Sequence, residues 1–333
     1  MKKKILLIHT GGTIGMTKDL ESGVLKPDRF YKSLVKVVPE LYDIADIEVE
    51  IPFVMDSSAL NFPQWKEIAA IIKRRIDSIH GVVITHGTDT LAYTASALSY
   101  MLMNIPVPVI LTGAQKPLSE LRSDARSNFI NAIELATSPE IKEVAVFFAD
   151  KLMRGNRTIK RHINHFDAFD SPNYPLLAQV GIDIDIYQQN LLPSGGLFHV
   201  FDKMDNAIAV YKTFPGCTNQ YFQPSKDIRA VLLIGYGAGT LSLESGNLLK
   251  MVEAWIGEGK LVILMSECRA GKVNPTLYES GNELLKRGVL HSGDMTFEAT
   301  ITKLMFLLGQ YEEPAMIRKN FSKSLAGEMG IQS

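Results

Sequence analysis

Short apolar runs of aliphatic and β-branched residues recur along the chain, separated by stretches of helical periodicity. They cover residues 5–8, 81–84, 107–111, 144–148, 207–211, 230–234 and 261–265. Their length and unbroken hydrophobicity match strands buried on both faces of a parallel sheet. Between the first two, Trp65, Ile68, Ala69, Ile72 and Ile76 fall at i, i+3, i+4, i+7 and i+11, with Lys66, Lys73 and Arg74 on the other faces. This spacing predicts an amphipathic helix over 63–76 with Pro63 in its first turn. A second helix is expected over 90–103. Alternating units of this kind predict an α/β fold, with a larger N-terminal doubly wound, mainly parallel sheet domain and a smaller C-terminal α/β domain.

A length of 333 residues also favours two domains over one core. The pattern lapses between 183 and 205 into polar sequence that includes Pro193-Ser194-Gly195-Gly196. We therefore expect an N-terminal domain over 1–190, a linker over 191–212 and a C-terminal domain over 213–333. Residues 16–28 carry mixed charge and Gly23 without periodicity, and read as a loop beside the first glycine turn.

A formal net charge of −1 provides no electrostatic footprint for nucleic acid or an acidic membrane surface. No run approaches the roughly 20 apolar residues needed to span a bilayer. The apolar stretch after Lys2, Lys3 and Lys4 is too short for a secretory signal, so a cytoplasmic location is expected. Cys217 and Cys268 are too few for a disulfide framework or a thiolate metal site. Cys268, at the end of a strand-like run, reads as a small buried hydrophobe or as a site thiol.

Two of the apolar runs break at glycine turns that present threonines, His9-Thr10-Gly11-Gly12-Thr13 and His86-Gly87-Thr88-Asp89-Thr90. Open α/β sheets bind ligands beyond the carboxyl ends of their strands. Thr13 is open to two readings, a turn or helix cap and a hydroxyl nucleophile; the second needs a base nearby. Asp89 is likewise an N-cap for the following helix or a group that orients a lysine or binds an ammonium. The glycine turns lack both the G-x-G-x-x-G spacing and the Lys-Ser/Thr ending of phosphate-binding loops. His9 and His86 lack a carboxylate-rich partner pattern, and read as hydrogen-bonded strand-end histidines rather than metal ligands. In Arg154-Gly155-Asn156-Arg157-Thr158-Ile159-Lys160, Lys160 follows the run 144–148 and its turn, so it can reach the same sheet edge as a proton acceptor.

With these segments in view, the chain resembles the bacterial cytoplasmic (type I) L-asparaginases of the asparaginase/glutaminase family. The likeness runs nearly end to end. It includes Thr10-Gly11-Gly12-Thr13-Ile14-Gly15, Met55-Asp56-Ser57-Ser58, His86-Gly87-Thr88-Asp89-Thr90, Leu111-Thr112-Gly113-Ala114-Gln115, the Arg154–Thr158 segment, and Gly293-Asp294-Met295-Thr296-Phe297-Glu298-Ala299-Thr300. The resemblance implies hydrolysis of the side-chain amide of L-asparagine to L-aspartate and ammonia. It makes Thr13 the nucleophile of an acyl-enzyme, and Thr88, Asp89 and Lys160 a relay that polarises a hydroxyl or water. Asp56, Ser57 and Ser58 would hold the substrate α-carboxylate and α-amino group with Thr88 and Asp89, and Ala114 lies in the turn whose carbonyl receives the leaving ammonia. Backbone N–H groups at the glycine turns would bind the oxyanion.

No metal or organic cofactor is implied, and none is expected. Self-association is implied, as a dimer or tetramer with sites near the intersubunit interface. Many relatives place a tyrosine in the loop after the first motif, where this chain has Val24. Tyr278, supplied by a neighbouring subunit, is our candidate replacement, and Tyr31 the local alternative. Two other readings remain: a glutaminase-asparaginase of broader specificity, and a non-catalytic amino-acid sensor. The sensor predicts loss of Thr13, Thr88, Asp89 or Lys160, all of which are present.

Overall fold

In the computed structural model of the protein, residues 2–13, 16–18, 25–27, 38–218, 221–243 and 248–330 are described, the backbone alone at 16–18 and 25–27. The chain divides into two units, Met1–Asp202 and Lys203–Ser333. The stretch 191–212 contributes to both. His199–Val200 pairs with Leu102–Met103 in the first unit, and Ile208–Lys212 is a strand of the second unit's sheet.

The first unit is organised by strands β1 (Lys4–His9), β2 (Asp46–Glu50), β3 (Gly81–Thr85), β4 (Val109–Thr112), β5 (Val144–Phe148), β6 (Lys151–Arg154), β7 (Ala178–Val180) and β8 (Ile184–Ile186). They form one eight-stranded sheet in the order β8-β7-β6-β5-β4-β3-β1-β2. The five strands β2, β1, β3, β4 and β5 are mutually parallel. The last three are antiparallel, entered through a two-residue hairpin at Ala149 (φ 46°) and Asp150 (φ 68°). Two positive φ angles match the right-handed twist of the strands, as in a type I′ turn. The chain leaves β1 for β2 on one side and then returns to β3 on the other. This reversal makes the carboxyl ends of β1 and β3 the topological switch point of the sheet.

Helices cover both faces. Ile5, Leu7, Val83, Ile110, Ala145 and Phe147 share one core with Phe129, Ala132 and Ile133 of the helix Ala125–Ala136. Against the sheet's other side, the helix Leu91–Met101 packs on β4 and β5, and Phe62–Arg75 packs on that helix. The Phe62–Arg75 helix carries the expected stripe and starts with a capping box between Asn61 and Gln64. The helix expected over 90–103 is shorter, because Leu102–Met103 leaves it to pair as a strand. All but one of its eleven residues are buried, so no polar stripe marks its ends.

The second unit has a four-stranded parallel sheet, β9 (Ile208–Lys212), β10 (Ala230–Gly235), β11 (Leu261–Ser266) and β12 (Leu290–His291), in that order. Val231, Leu233, Val262 and Leu264 form its core with Leu248, Val252 and Trp255 of the helix Leu248–Gly257. Lys303 and Glu328, both fully buried, form an ion pair of 2.6 Å that ties the last turns of this unit to the helix Phe297–Gln310. Cys217 is buried and Cys268 exposed. The buried-hydrophobe reading of Cys268 is thereby corrected: β11 ends at Ser266, whose hydroxyl accepts the Cys268 N–H, so the chain has already turned outward. Among the described residues, no helix is long and apolar enough to cross a membrane.

At the switch point, backbone meets backbone. A Cβ on Gly12 (φ +82°) would lie 2.5 Å from the Gly87 nitrogen, and one on Gly11 (φ +110°) would lie 2.5 Å from the Met55 oxygen. Gly87 faces Ser57 at 2.7 Å, and Gly113 faces the His86 carbonyl oxygen at 2.5 Å by the same measure. Gly12→Ala is therefore expected to cost about 1–3 kcal/mol from backbone strain alone, before any clash is counted. Urea unfolding measures it, and an unchanged midpoint would rule out the close approach.

Candidate active site

The loops that leave β1, β2, β3 and β4 converge through these contacts. Thr13 follows Gly12 and is half-buried; Thr88 follows Gly87 and is buried. Gly12 and Gly87 lie against each other, so the two threonines follow adjoining stretches of backbone. Thr10 ties β1 to β3 through both its N–H and its hydroxyl, which donate to the Thr85 carbonyl at 3.1 and 2.9 Å. Met55 N–H donates to the Thr10 carbonyl at 3.1 Å and draws in the segment Asp56–Ser58.

Lys160 Nζ donates to Thr88 Oγ1 at 2.8 Å and to Asp89 Oδ1 at 2.6 Å. Asp89 is not the helix cap. That position is Thr90, whose hydroxyl donates to the Ser57 carbonyl at 2.6 Å. The Lys160 side chain is 17% exposed and the Asp89 side chain 69%, and ion pairs so close to solvent contribute about 0–1 kcal/mol. The placement of Lys160 comes instead from beneath. Six residues earlier, Arg154 Nε donates to Glu143 Oε2 at 2.6 Å with both side chains almost fully buried. Removing one partner of such a pair costs about 3–5 kcal/mol. Thr158 then donates to the Arg154 carbonyl at 2.7 Å, closing the turn that delivers Ile159 and Lys160 to a short ladder with Phe169–Asp170.

The substrate-side candidates lie on the same edge. Asp56 accepts the Ser58 N–H at 2.8 Å, and the Ser58 side chain and backbone together hold its carboxyl below the usual range. Ser57 is buried against Gly87, while Ser58 is exposed. Ala114 is buried in a turn pinned by Asp124, which accepts the Gln115 and Lys116 N–H groups at 3.0–3.1 Å. Tyr278 belongs to the second unit, immediately before the helix Glu279–Lys286, and is exposed. Val24 and Tyr31 lie outside the described residues.

Gln115, which the sequence marks only as the end of the segment 111–115, also reaches the candidate site. Its Oε1 accepts the Thr88 hydroxyl at 3.3 Å, and its Nε2 donates to the Ile163 and His165 carbonyls at 3.1 Å. Its partners lie 27 to 50 positions away, so no local pattern announces it.

His9 and His86 each have their own partners. His9 Nδ1 lies 2.7 Å from Thr85 Oγ1, and His86 Nε2 lies 2.9 Å from Thr94 Oγ1. Burial pushes both imidazoles down to about 4 from 6.5. The fold thus favours their neutral forms, while the unfolded chain takes up protons as pH falls below 6.5. Stability from these two groups is constant above that value and declines toward pH 4, by about 1.4 kcal/mol per pH unit for each. Urea unfolding at pH 7 and pH 5 should show this loss, reduced by about half in His86→Gln; an identical loss in the variant would exclude His86 as its source.

Comparison with known proteins fits this geometry. The family profile "Asparaginase, N-terminal" matches residues 4–192, and "Glutaminase/Asparaginase C-terminal domain" matches 207–321. The chain is 41% identical to L-asparaginase 1 of Escherichia coli (strain K12) over 337 aligned residues, covering 98% of each. Its fold is similar to that of L-asparaginase I from Vibrio cholerae O1 biovar eltor, with TM-score 0.88, 36% identity, and coverage of 99% of this chain and 100% of that one. It is also similar to the thermostable L-asparaginase from Thermococcus kodakarensis, with TM-score 0.90, 35% identity and the same coverage. The two matched domains fall on the two units, with both glycine–threonine turns and Lys160 in the first and Tyr278 in the second, and the chain belongs to the asparaginase family.

Proposed function

We propose that this protein hydrolyses the side-chain amide of L-asparagine to L-aspartate and ammonia through a threonine acyl-enzyme. The observation that carries the reading is Lys160 Nζ within hydrogen-bond reach of both Thr88 Oγ1 and Asp89 Oδ1, on the turn whose Gly87 lies against the Gly12 that precedes Thr13. Thr13 Oγ1 attacks the amide carbon, and its proton passes to the departing amine, which leaves as ammonia. Water then attacks the acyl carbon, its proton passing through Thr88 to the Lys160 amine beside Asp89; the C–Oγ1 ester bond breaks, aspartate leaves, and the proton returns to Thr13 Oγ1. The developing oxyanion is met by backbone N–H groups of the glycine turns.

Asp56, Ser57 and Ser58, with Thr88 and Asp89, hold the α-carboxylate and α-ammonium of the substrate, and the carbonyl of Ala114 receives the ammonia. One added methylene changes binding by only about 1–3 kcal/mol, so glutamine is the natural competitor. The active form in this reading is a cytoplasmic dimer or tetramer in which Tyr278 of a neighbouring subunit stands over Thr13.

Ammonia release from asparagine and glutamine, measured side by side, tests the reading. We expect turnover of asparagine, with at least about a hundredfold loss in both Thr13→Ala and Lys160→Met. Release from neither amide would overturn it. Tyr278→Phe should lower kcat/KM about tenfold or more, as expected for loss of a hydrogen bond made in the transition state. Unchanged turnover and affinity in that variant would remove Tyr278 from the site.

A further inference from the structure

A chain of hydrogen bonds runs from the helix Phe62–Arg75 to the peptide between Gly87 and Thr88. Trp65 Nε1 donates to Thr94 Oγ1 at 2.9 Å, Thr94 Oγ1 lies 2.9 Å from His86 Nε2, and His86 Nδ1 lies 2.7 Å from the Gly87 carbonyl oxygen. Trp65 is 5% exposed, while Thr94 and His86 are fully buried.

The chemistry of its ends sets the direction of every proton in this chain. An indole nitrogen only donates, and a carbonyl oxygen only accepts. Thr94 oxygen therefore receives the indole proton, and its own hydroxyl proton is free for His86 Nε2. At the far end, His86 Nδ1 must carry a proton to meet the Gly87 oxygen. Both ends demand the same neutral tautomer, with hydrogen on Nδ1 and the lone pair on Nε2. Burial, which keeps this imidazole neutral, supports it.

The consequence falls on Thr88. A trans peptide plane sends its C=O and its N–H in opposite directions. His86 holds the Gly87 carbonyl toward the interior, so the Thr88 N–H is turned away from the imidazole. Among the described residues, that N–H has no backbone acceptor outside the helices and strands, and Thr88 is only 8% exposed. A nearly buried donor of this kind calls for an acceptor on the ligand.

We infer that His86 is a positioning residue for the reaction. Locked as its Nδ1–H tautomer by Thr94 and Trp65, it orients the Gly87–Thr88 peptide so that the Thr88 N–H meets the carbonyl oxygen of the scissile amide. This rests on the amide-hydrolysis reading above. It extends that reading to a residue that does not touch the substrate and to a helix on the far side of the relay.

The two amide side chains separate this role from mere support of the fold. Asn places its amide nitrogen near the position of His Nδ1, and Gln places its own near Nε2. In His86→Asn the donor to Gly87 survives and the link to Thr94 is lost; in His86→Gln the reverse holds. Both variants should unfold at a lower urea concentration than the wild type. We expect kcat on asparagine to fall about tenfold or more in His86→Gln, with KM changing less, because a donor to the oxyanion acts in the transition state. His86→Asn should recover most of kcat.

Equal losses of kcat in the two variants, or full turnover in His86→Gln, would overturn the inference while leaving asparagine hydrolysis intact. A wild-type protein without amide hydrolysis would instead bring down the functional reading. The relay is also checked without activity, by ¹⁵N NMR of histidine-labelled protein. A neutral His86 protonated at Nε2 would overturn the proposal even if neither variant folds.

Discussion

Close approach of backbone to backbone at the carboxyl edge of the first sheet is the constraint on which the candidate site depends. Gly12 lies against Gly87, Gly11 against Met55 and Gly113 against the His86 carbonyl, each too close for a Cβ, and Gly87 in turn meets the Ser57 side chain. Loops from four adjacent strands are thereby fused at the point where strand order reverses. Thr13, Ser57 and Thr88 then follow or face the touching glycines. The placement of Thr13 relative to Thr88 is thus set by main-chain contact, before any side-chain hydrogen bond is considered.

Around this junction, stabilising interactions and chemically available ones are segregated by burial. The Arg154–Glu143 pair and the Trp65–Thr94–His86 relay are sealed from solvent, where a broken partner leaves an unsatisfied polar group. Lys160 and Asp89 sit near solvent, where their pairing adds little to the fold. The buried groups fix the geometry around the candidate site, and the groups proposed to move protons lie nearer its surface.

Much of this arrangement was legible along the chain. The apolar runs mark the central strands within one or two residues, because a strand covered on both faces has no polar alternation to blur its ends. The stripe on Trp65, Ile68 and Ile72 marks its helix for the opposite reason, since one face meets solvent. The helix Leu91–Met101, buried on nearly all sides, provides no such signal, and its expected end was two residues late. The hairpin at Ala149 and Asp150 was also invisible, because neither residue announces a positive φ as Asn-Gly would. Cys268 follows an apolar run yet is exposed, since the strand ends at Ser266 and the chain has turned outward before Cys268 is reached.

Local order along the chain thus determined which residues end strands, where glycine permits a turn, and that threonine and aspartate follow glycine at those strand ends. Those properties depend on neighbours a few positions away. Tertiary structure alone decided between the readings that local order left open. Asp89 meets Lys160 from 71 positions away instead of capping its helix, and Gln115 takes the Thr88 hydroxyl. His86 became one link of a relay whose other members come from Trp65 and Thr94. Hydrogen-bond direction and burial are properties of partners in space, and the partners of these side chains are assembled only when the strands take their places in the sheet.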